Sequence, residues 1–138
     1  MRALAKSFLD KNKPLDILVN NAGLVARENC KTSEGFEIHF AIAQGHFLLS
    51  VLLLPALKKA TSARIVTVSS ALYEHAPDIP YEKVKGDMVL ESQSYRQSIS
   101  SYCVSKLANV YYSRWLGLQL KQENLPILTC SVHPGRPL

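Results

Sequence analysis

Asp16-Ile17-Leu18-Val19-Asn20-Asn21-Ala22-Gly23 is a short, nearly all-apolar run that ends in two amides and a glycine. Such a run suits a parallel strand covered on both faces, and asparagine and glycine are residues that turn a chain. Arg64-Ile65-Val66-Thr67-Val68-Ser69 repeats the pattern with β-branched residues and ends in Ser69-Ser70. Ile127-Leu128-Thr129-Cys130-Ser131-Val132 repeats it again before His133-Pro134-Gly135. Between and before these runs the apolar spacing is helical. Leu4, Phe8 and Leu9 lie on one side of a first helix that Pro14 ends. A second helical region runs from about Ser33 to Lys59, where Phe36, Phe40, Phe47, Leu48, Val51, Leu52 and Leu54 predict burial on more than one side. Residues 71–99 contain Pro77, Pro80 and Gly86 and are expected to form a surface loop with at most a short helix. Serines and Tyr102 then open a long amphipathic helix to about Glu123.

Strands alternating with long helices predict an α/β protein built on right-handed crossovers and a parallel sheet. About three strands, in one domain over 1–138, make a partial doubly wound sheet of Rossmann type. Its edges are expected to be open and its apolar faces partly uncovered. The chain of 138 residues, 47% hydrophobic and 20% charged, has the composition of such a domain. Its formal charge of +5 comes from scattered lysines and arginines with no aromatic-interleaved basic stripe, so nucleic-acid binding is not expected. Cys30, Cys103 and Cys130 form no CxxC pair, which argues against a zinc site or a disulfide framework and for a reducing, intracellular and cytoplasmic setting. The most hydrophobic run, His46 to Leu57, is interrupted by Pro55 and too short for a transmembrane segment.

Tyr102-Cys103-Val104-Ser105-Lys106 is the central candidate for chemistry, although Tyr-x-x-x-Lys by itself also arises by chance in many helices. Residues four apart share a helix face, so a phenol and an ammonium can address one site. A free phenol titrates near ~10 and is a poor base at neutral pH. A neighbouring cation favours the phenolate, which is what proton exchange with an alcohol or carbonyl needs. Asn20-Asn21-Ala22-Gly23, Ser69-Ser70 and Pro134-Gly135 all fall at the carboxyl ends of strands, where open α/β sheets bind ligands. Taken singly, the asparagines also read as turn residues and the serines as caps. Ser70, His75 and Asp78 are too close together on one loop for a hydrolase triad, and no G-x-S-x-G elbow is present. The four histidines lack metal-ligand spacing, and His39 and His46 are expected to cap or pack on their helix.

This ordered set resembles the short-chain dehydrogenase/reductase family. Ser101-Tyr102-Cys103-Val104-Ser105-Lys106-Leu107-Ala108-Asn109 and Val132-His133-Pro134-Gly135 are most similar to its retinol-dehydrogenase-like branch. The resemblance implies an oxidoreductase that exchanges hydride between NAD(P)(H) and a small-molecule alcohol/carbonyl pair. It implies Tyr102 as general acid/base, Lys106 as the group that binds the nicotinamide ribose and favours the phenolate, and Ser70 as hydrogen-bond partner of the substrate oxygen. Asn20, Asn21, Ala22 and Gly23 would line the adenosine side of the cofactor, and Pro134 and Gly135 would pass under the nicotinamide.

Two departures from the family pattern shape the expectation of activity. No G-x-x-x-G-x-G turn occurs, because the glycines at 23, 35, 45, 86, 117 and 135 are dispersed. The resemblance thus implies a chain truncated at both ends, with weakened cofactor affinity. Where the branch reads roughly Gly-Val-Asn-His-Leu-Gly-His-Phe, this chain has Ala41-Ile42-Ala43-Gln44-Gly45-His46-Phe47, one residue shorter. The asparagine that supports the family's proton relay has no counterpart; Ala43 cannot replace it, and Gln44 could only if the helix bulged. The expectation is a weak or inactive oxidoreductase, with two alternatives. One is a catalytically silent partner that forms a homodimer or pairs with a full-length relative through its two long helices. The other is a gene fragment without function.

Overall fold

The computed structural model describes residues 1–26, 30–80 and 95–135. In chain order the elements are α1 (Arg2–Leu9), β1 (Ile17–Asn20), α2 (Ile38–Leu52), α3 (Leu54–Leu57), β2 (Ala63–Val68), a 3-10 turn (Ala71–His75), α4 (Tyr95–Gln122) and β3 (Ile127–Val132). The strands form one parallel sheet in the order β1-β2-β3. This is the partial Rossmann-type α/β architecture that the strand and helix alternation predicts. Asn20 pairs with Thr67, and Thr67 with Ser131, so the three strands end side by side. The words Asn20-Asn21, Ser69-Ser70 and His133-Pro134-Gly135 therefore emerge along one edge.

The core lies where α2, α3 and the second half of α4 meet the sheet. Leu57, Ile65, Leu116, Leu120 and Ile127 are buried there, with Ala5 of α1 and partly buried Phe8 and Leu9 packed against them. A second apolar cluster of Phe40, Ile79, Val104 and Leu107 sits nearer the carboxyl edge. Between the two, α4 carries small and polar residues against the sheet: Ser113 meets Thr129 hydroxyl to hydroxyl at 2.8 Å. At Gly117 a Cβ would come within 2.9 Å of the Thr129 methyl, so only glycine lets the helix lie this close.

Three boundaries differ from the sequence reading. The helical region expected over 33–59 is split, because α2 ends at Leu52 and α3 begins at Leu54. Pro55 has no N–H to bond back, and its ring obstructs the carbonyl four residues earlier, so Leu53 leaves the helical conformation at φ −91° and ψ 0°. At the other end α2 starts only at Ile38, where the Glu37 side chain accepts from the Phe40 N–H at 2.8 Å and fixes the first turn. The long helix begins at Tyr95, not near Tyr102, which places Tyr102 two turns inside α4. The prolines and glycine that marked 71–99 as a loop all lie before residue 87, and nothing in 95–101 resists a helix. The 3-10 turn at 71–75 is the short helix expected in that stretch, whereas 81–94 lies outside the described residues.

The apolar faces of the sheet are partly uncovered, as expected of a three-stranded partial sheet. Ile17 and Val19 are each 54% exposed, so one face of β1 is open, and Leu128 is likewise exposed on β3. Among the described residues no helix is long and apolar enough to cross a membrane.

Leu57 is fully buried at the centre of the main core. Leu57→Ala should lower the unfolding free energy by about 2–5 kcal/mol. A denaturant midpoint that moves with an unchanged slope in a urea titration would check this.

Candidate active site

The site is built where α4 crosses the carboxyl end of β2. Lys106, only 6% exposed, sends Nζ to the Val68 carbonyl at 3.1 Å. Asn109, one turn further along the same face, donates to that carbonyl from Nδ2 at 3.3 Å. The Ser69 hydroxyl returns the link by donating to the Lys106 carbonyl at 2.8 Å. Tyr102 lies one turn before Lys106, with its ring centroid 5.3 Å from Nζ, within range of cation–π attraction. Burial pushes the Lys106 ammonium below the usual lysine range. One of its three N–H donors is taken by Val68, and among the described residues no other protein acceptor engages the rest.

A cleft of about 400 Å³ opens over this group, lined by Asn21, Gly23, Val68, Ser69, Ser70, Tyr102, Lys106, His133, Pro134 and Gly135. Three strand ends and one helix thus bring together Ser70, Tyr102, Lys106, Asn21, Gly23, Pro134 and Gly135 from the expected set. The Ser70 hydroxyl oxygen accepts from the Leu72 N–H at 3.3 Å and caps the 3-10 turn, which leaves its own O–H proton to donate. Gly135 turns the chain at φ +90°, a conformation glycine adopts without strain.

Asn20 and Ala22 stand apart from that lining. The Asn20 side chain, 3% exposed, points into the protein, where Nδ2 donates to Ser50 Oγ at 2.8 Å and to the Tyr112 hydroxyl at 3.2 Å. Tyr112 in turn meets Thr67 Oγ1 at 2.5 Å, and burial pushes its phenol up. This polar node joins β1, β2, α2 and α4 behind the cleft. Gln44 does not reach the site. The stretch from Ile38 to Leu52 is an unbroken α-helix, and Gln44 lines a separate surface hollow with Met1, Thr32 and Phe36. Ala43 does border the site, in a small cavity beside Tyr102, Lys106, Asn109 and His39.

Sequence reasoning missed Asn109, and it expected His46 only to cap or pack on its helix. Asn109 follows Lys106 by three residues and Tyr102 by seven, which was a legible sign of a shared helix face. His46 is 4% exposed, and neither ring nitrogen, nor Asn109 Oδ1, makes a regular hydrogen bond. Burial, reinforced by the Lys106 charge, holds the imidazole below its ordinary pKa, although Asn109 and the Ala22 backbone favour the charged ring.

The sequence profile of the short-chain dehydrogenase family matches residues 1–78. The chain belongs to that family. Over 136 residues it is 42% identical to retinol dehydrogenase 12 of Bos taurus and 41% identical to retinol dehydrogenase 11 of Homo sapiens. Each alignment takes in 98% of this chain and 40% of the relative, so the chain spans about 40% of the length of these relatives. A solved structure from Mycobacterium paratuberculosis, of an uncharacterised protein, superposes with a TM-score of 0.78 at 31% identity, over 98% of this chain and 47% of that one. A short-chain dehydrogenase from Escherichia coli CFT073 complexed with NADPH shares the fold at a TM-score of 0.61 and 21% identity, over 97% of this chain and 48% of that one.

The lowered pKa of His46 has a defined sign. The unfolded chain takes up the proton below about pH 6.5, whereas the folded protein resists it. This contribution to stability is complete above that pH and is lost as pH falls through the folded value. His46→Leu should therefore flatten part of the stability loss between about pH 7 and pH 5, as read from urea midpoints at each pH.

Proposed function

We propose that this chain is the proton-handling half of an NAD(P)(H)-dependent dehydrogenase/reductase that interconverts a small-molecule alcohol and its carbonyl. The observation that carries the reading is the buried Lys106 ammonium, 5.3 Å from the Tyr102 ring centroid, in a cleft where several strand ends converge. In this reading the Tyr102 phenol gives its proton to, or takes it from, the substrate oxygen. Ser70 donates its remaining O–H to the same oxygen. Lys106 binds a ribose hydroxyl with the donors that Val68 leaves free and stabilises negative charge on the phenol.

The residues present fit the nicotinamide end of such a cofactor. A buried ammonium with unused donors suits a ribose diol. Gly23 has no Cβ to fill the approach to Lys106 Nζ, and Asn21, Pro134 and Gly135 complete the wall. Asn20 serves from behind by anchoring the end of β1, and Ala22 belongs to the loop that follows. The cofactor, when bound, supplies or accepts the hydride. No G-x-x-x-G-x-G spacing occurs in the sequence, so these residues alone should bind dinucleotide weakly and turn over slowly.

The partner in this reading is a second copy of the chain or a full-length relative. Tyr111, Trp115 and Leu118 lie at helical spacing on the outer side of α4 and are each about half exposed, which leaves an apolar stripe for another helix pair. An intracellular, cytoplasmic setting accords with free thiols at Cys30, Cys103 and Cys130.

Purified chain should oxidise NADPH slowly in the presence of a panel of aldehydes, and Tyr102→Phe should lower that rate by about 10²–10⁴-fold. If the chain neither binds NAD(P)H nor turns over any aldehyde or alcohol, the reading fails. Trp115→Glu should shift a sedimentation-velocity profile from dimer to monomer, because it places a charge at the centre of the stripe.

A further inference from the structure

Beside the catalytic helix, at the start of α2, lies a buried hydrogen-bonded couple that the proposed reaction leaves unused. Glu37 and His39 each have a side chain only 1% exposed, and Glu37 Oε1 meets His39 Nδ1 at 2.5 Å. The second carboxylate oxygen is already occupied, since Oε2 accepts the Phe40 N–H at 2.8 Å. A carboxylate that accepts at both oxygens requires the proton on Nδ1, and this leaves Nε2 as an acceptor. Nε2 is used in that sense, because the Ala26 N–H donates to it at 3.1 Å. The Ala26 carbonyl is held from the opposite side by the hydroxyl of Ser98, a fully buried residue of α4, at 2.5 Å. The loop that leaves β1 is thereby clamped between the start of α2 and the start of α4. The same imidazole meets the Tyr102 ring in a T-shaped contact, with centroids 5.9 Å apart and planes at 85°.

We propose that Glu37 and His39 are positioning residues: Glu37 fixes the His39 tautomer, and His39 sets both the 21–26 loop and the Tyr102 ring. Residues on that loop reach the site directly, because Gly23 and Leu24 border the cavity shared with Tyr102, Lys106 and His39. A displacement of Ala26 would therefore move the wall that faces Lys106 Nζ, while loss of the imidazole would remove a ring packed against the phenol. The couple acts on geometry alone and takes no proton from substrate. Its bearing on catalysis rests on the reading of Tyr102 as acid/base, whereas the hydrogen bonds and their test do not.

The test uses the 138-residue chain and nuclear magnetic resonance, with no cofactor present. In the unmodified chain the His39 ring ¹⁵N shifts should report a protonated Nδ1 and an unprotonated Nε2. The opposite tautomer, or a doubly protonated ring at neutral pH, would overturn the proposal without any variant having to fold. His39→Phe keeps an aromatic ring beside Tyr102 but offers Ala26 no acceptor. It should speed Ala26 amide exchange roughly tenfold, the equivalent of one buried hydrogen bond, and shift the Tyr102 ¹³Cζ resonance. His39→Gln presents a carbonyl oxygen to Ala26 and should restore slow exchange. Glu37→Gln has one acceptor oxygen where two are needed, and should either release the Phe40 N–H or invert the His39 tautomer. Equal effects of His39→Phe and His39→Gln on Ala26, or an unmoved Ala26 and Tyr102 in a folded His39→Phe chain, would reduce the couple to packing and refute the assignment.

Discussion

The Val68 carbonyl is the joint on which the rest of the site depends. It sits at the end of β2, where the parallel ladder has finished with it, and it accepts from both Lys106 Nζ and Asn109 Nδ2. A carbonyl has two lone pairs, and both are directed to one helix. The result is a fixed register between α4 and the sheet at the point where Tyr102 must face the cleft. The reciprocal bond from Ser69 to the Lys106 backbone makes that register two-sided. An ammonium buried this far costs desolvation, which the Val68 dipole and the Tyr102 ring face offset in part. The unused donors are what make the position receptive to a polar ligand.

Along α4 the packing changes character in one direction. At its carboxyl end Leu116 and Leu120 join the main core, as the hydrophobic effect dictates. In the middle, Ser113 and Gly117 let the helix approach the sheet closely. At its amino-terminal half Ser98, Ser101, Ser105, Lys106 and Asn109 are all buried and polar. Buried polar groups need partners: Lys106 and Asn109 Nδ2 find theirs at the end of β2, Ser98 in the loop after β1, and Ser105 at the Tyr102 carbonyl within the helix. The helix is thus anchored by an apolar end and read out by a polar one. Rigid placement of a phenol and an ammonium follows from this gradient, because neither residue controls its own position.

The open faces of the sheet belong to the same account. Ile17 and Val19 on β1 and Leu128 on β3 are exposed, whereas a doubly wound sheet normally covers both faces of its strands. A family whose matched relatives are more than twice as long as this chain carries further structure in those relatives. The active-site half remains well packed nonetheless, since its cleft draws on contacts among β1, β2, β3 and α4.

The sequence by itself determined the succession of strands and helices and which residues are candidates for the chemistry. Three apolar runs ending in turn residues, separated by helical spacing, specify a parallel α/β sheet, since few topologies connect such elements without crossing. Tyr102 and Lys106 were legible because helix periodicity is local. Other features depended on distances between segments far apart in the chain. Whether Asn20 would face a ligand or turn inward was decided by Ser50 and Tyr112, which lie 30 and 92 residues away. The isolation of Gln44 followed from the straightness of α2, and the break at Leu53 from how Pro55 was accommodated. Glu37, His39 and Ala26 became a unit only when α2 and α4 packed around one loop. A single sequence records which groups are present and with what local period. Only tertiary packing decides which buried polar atoms meet, because those bonds are made across the fold.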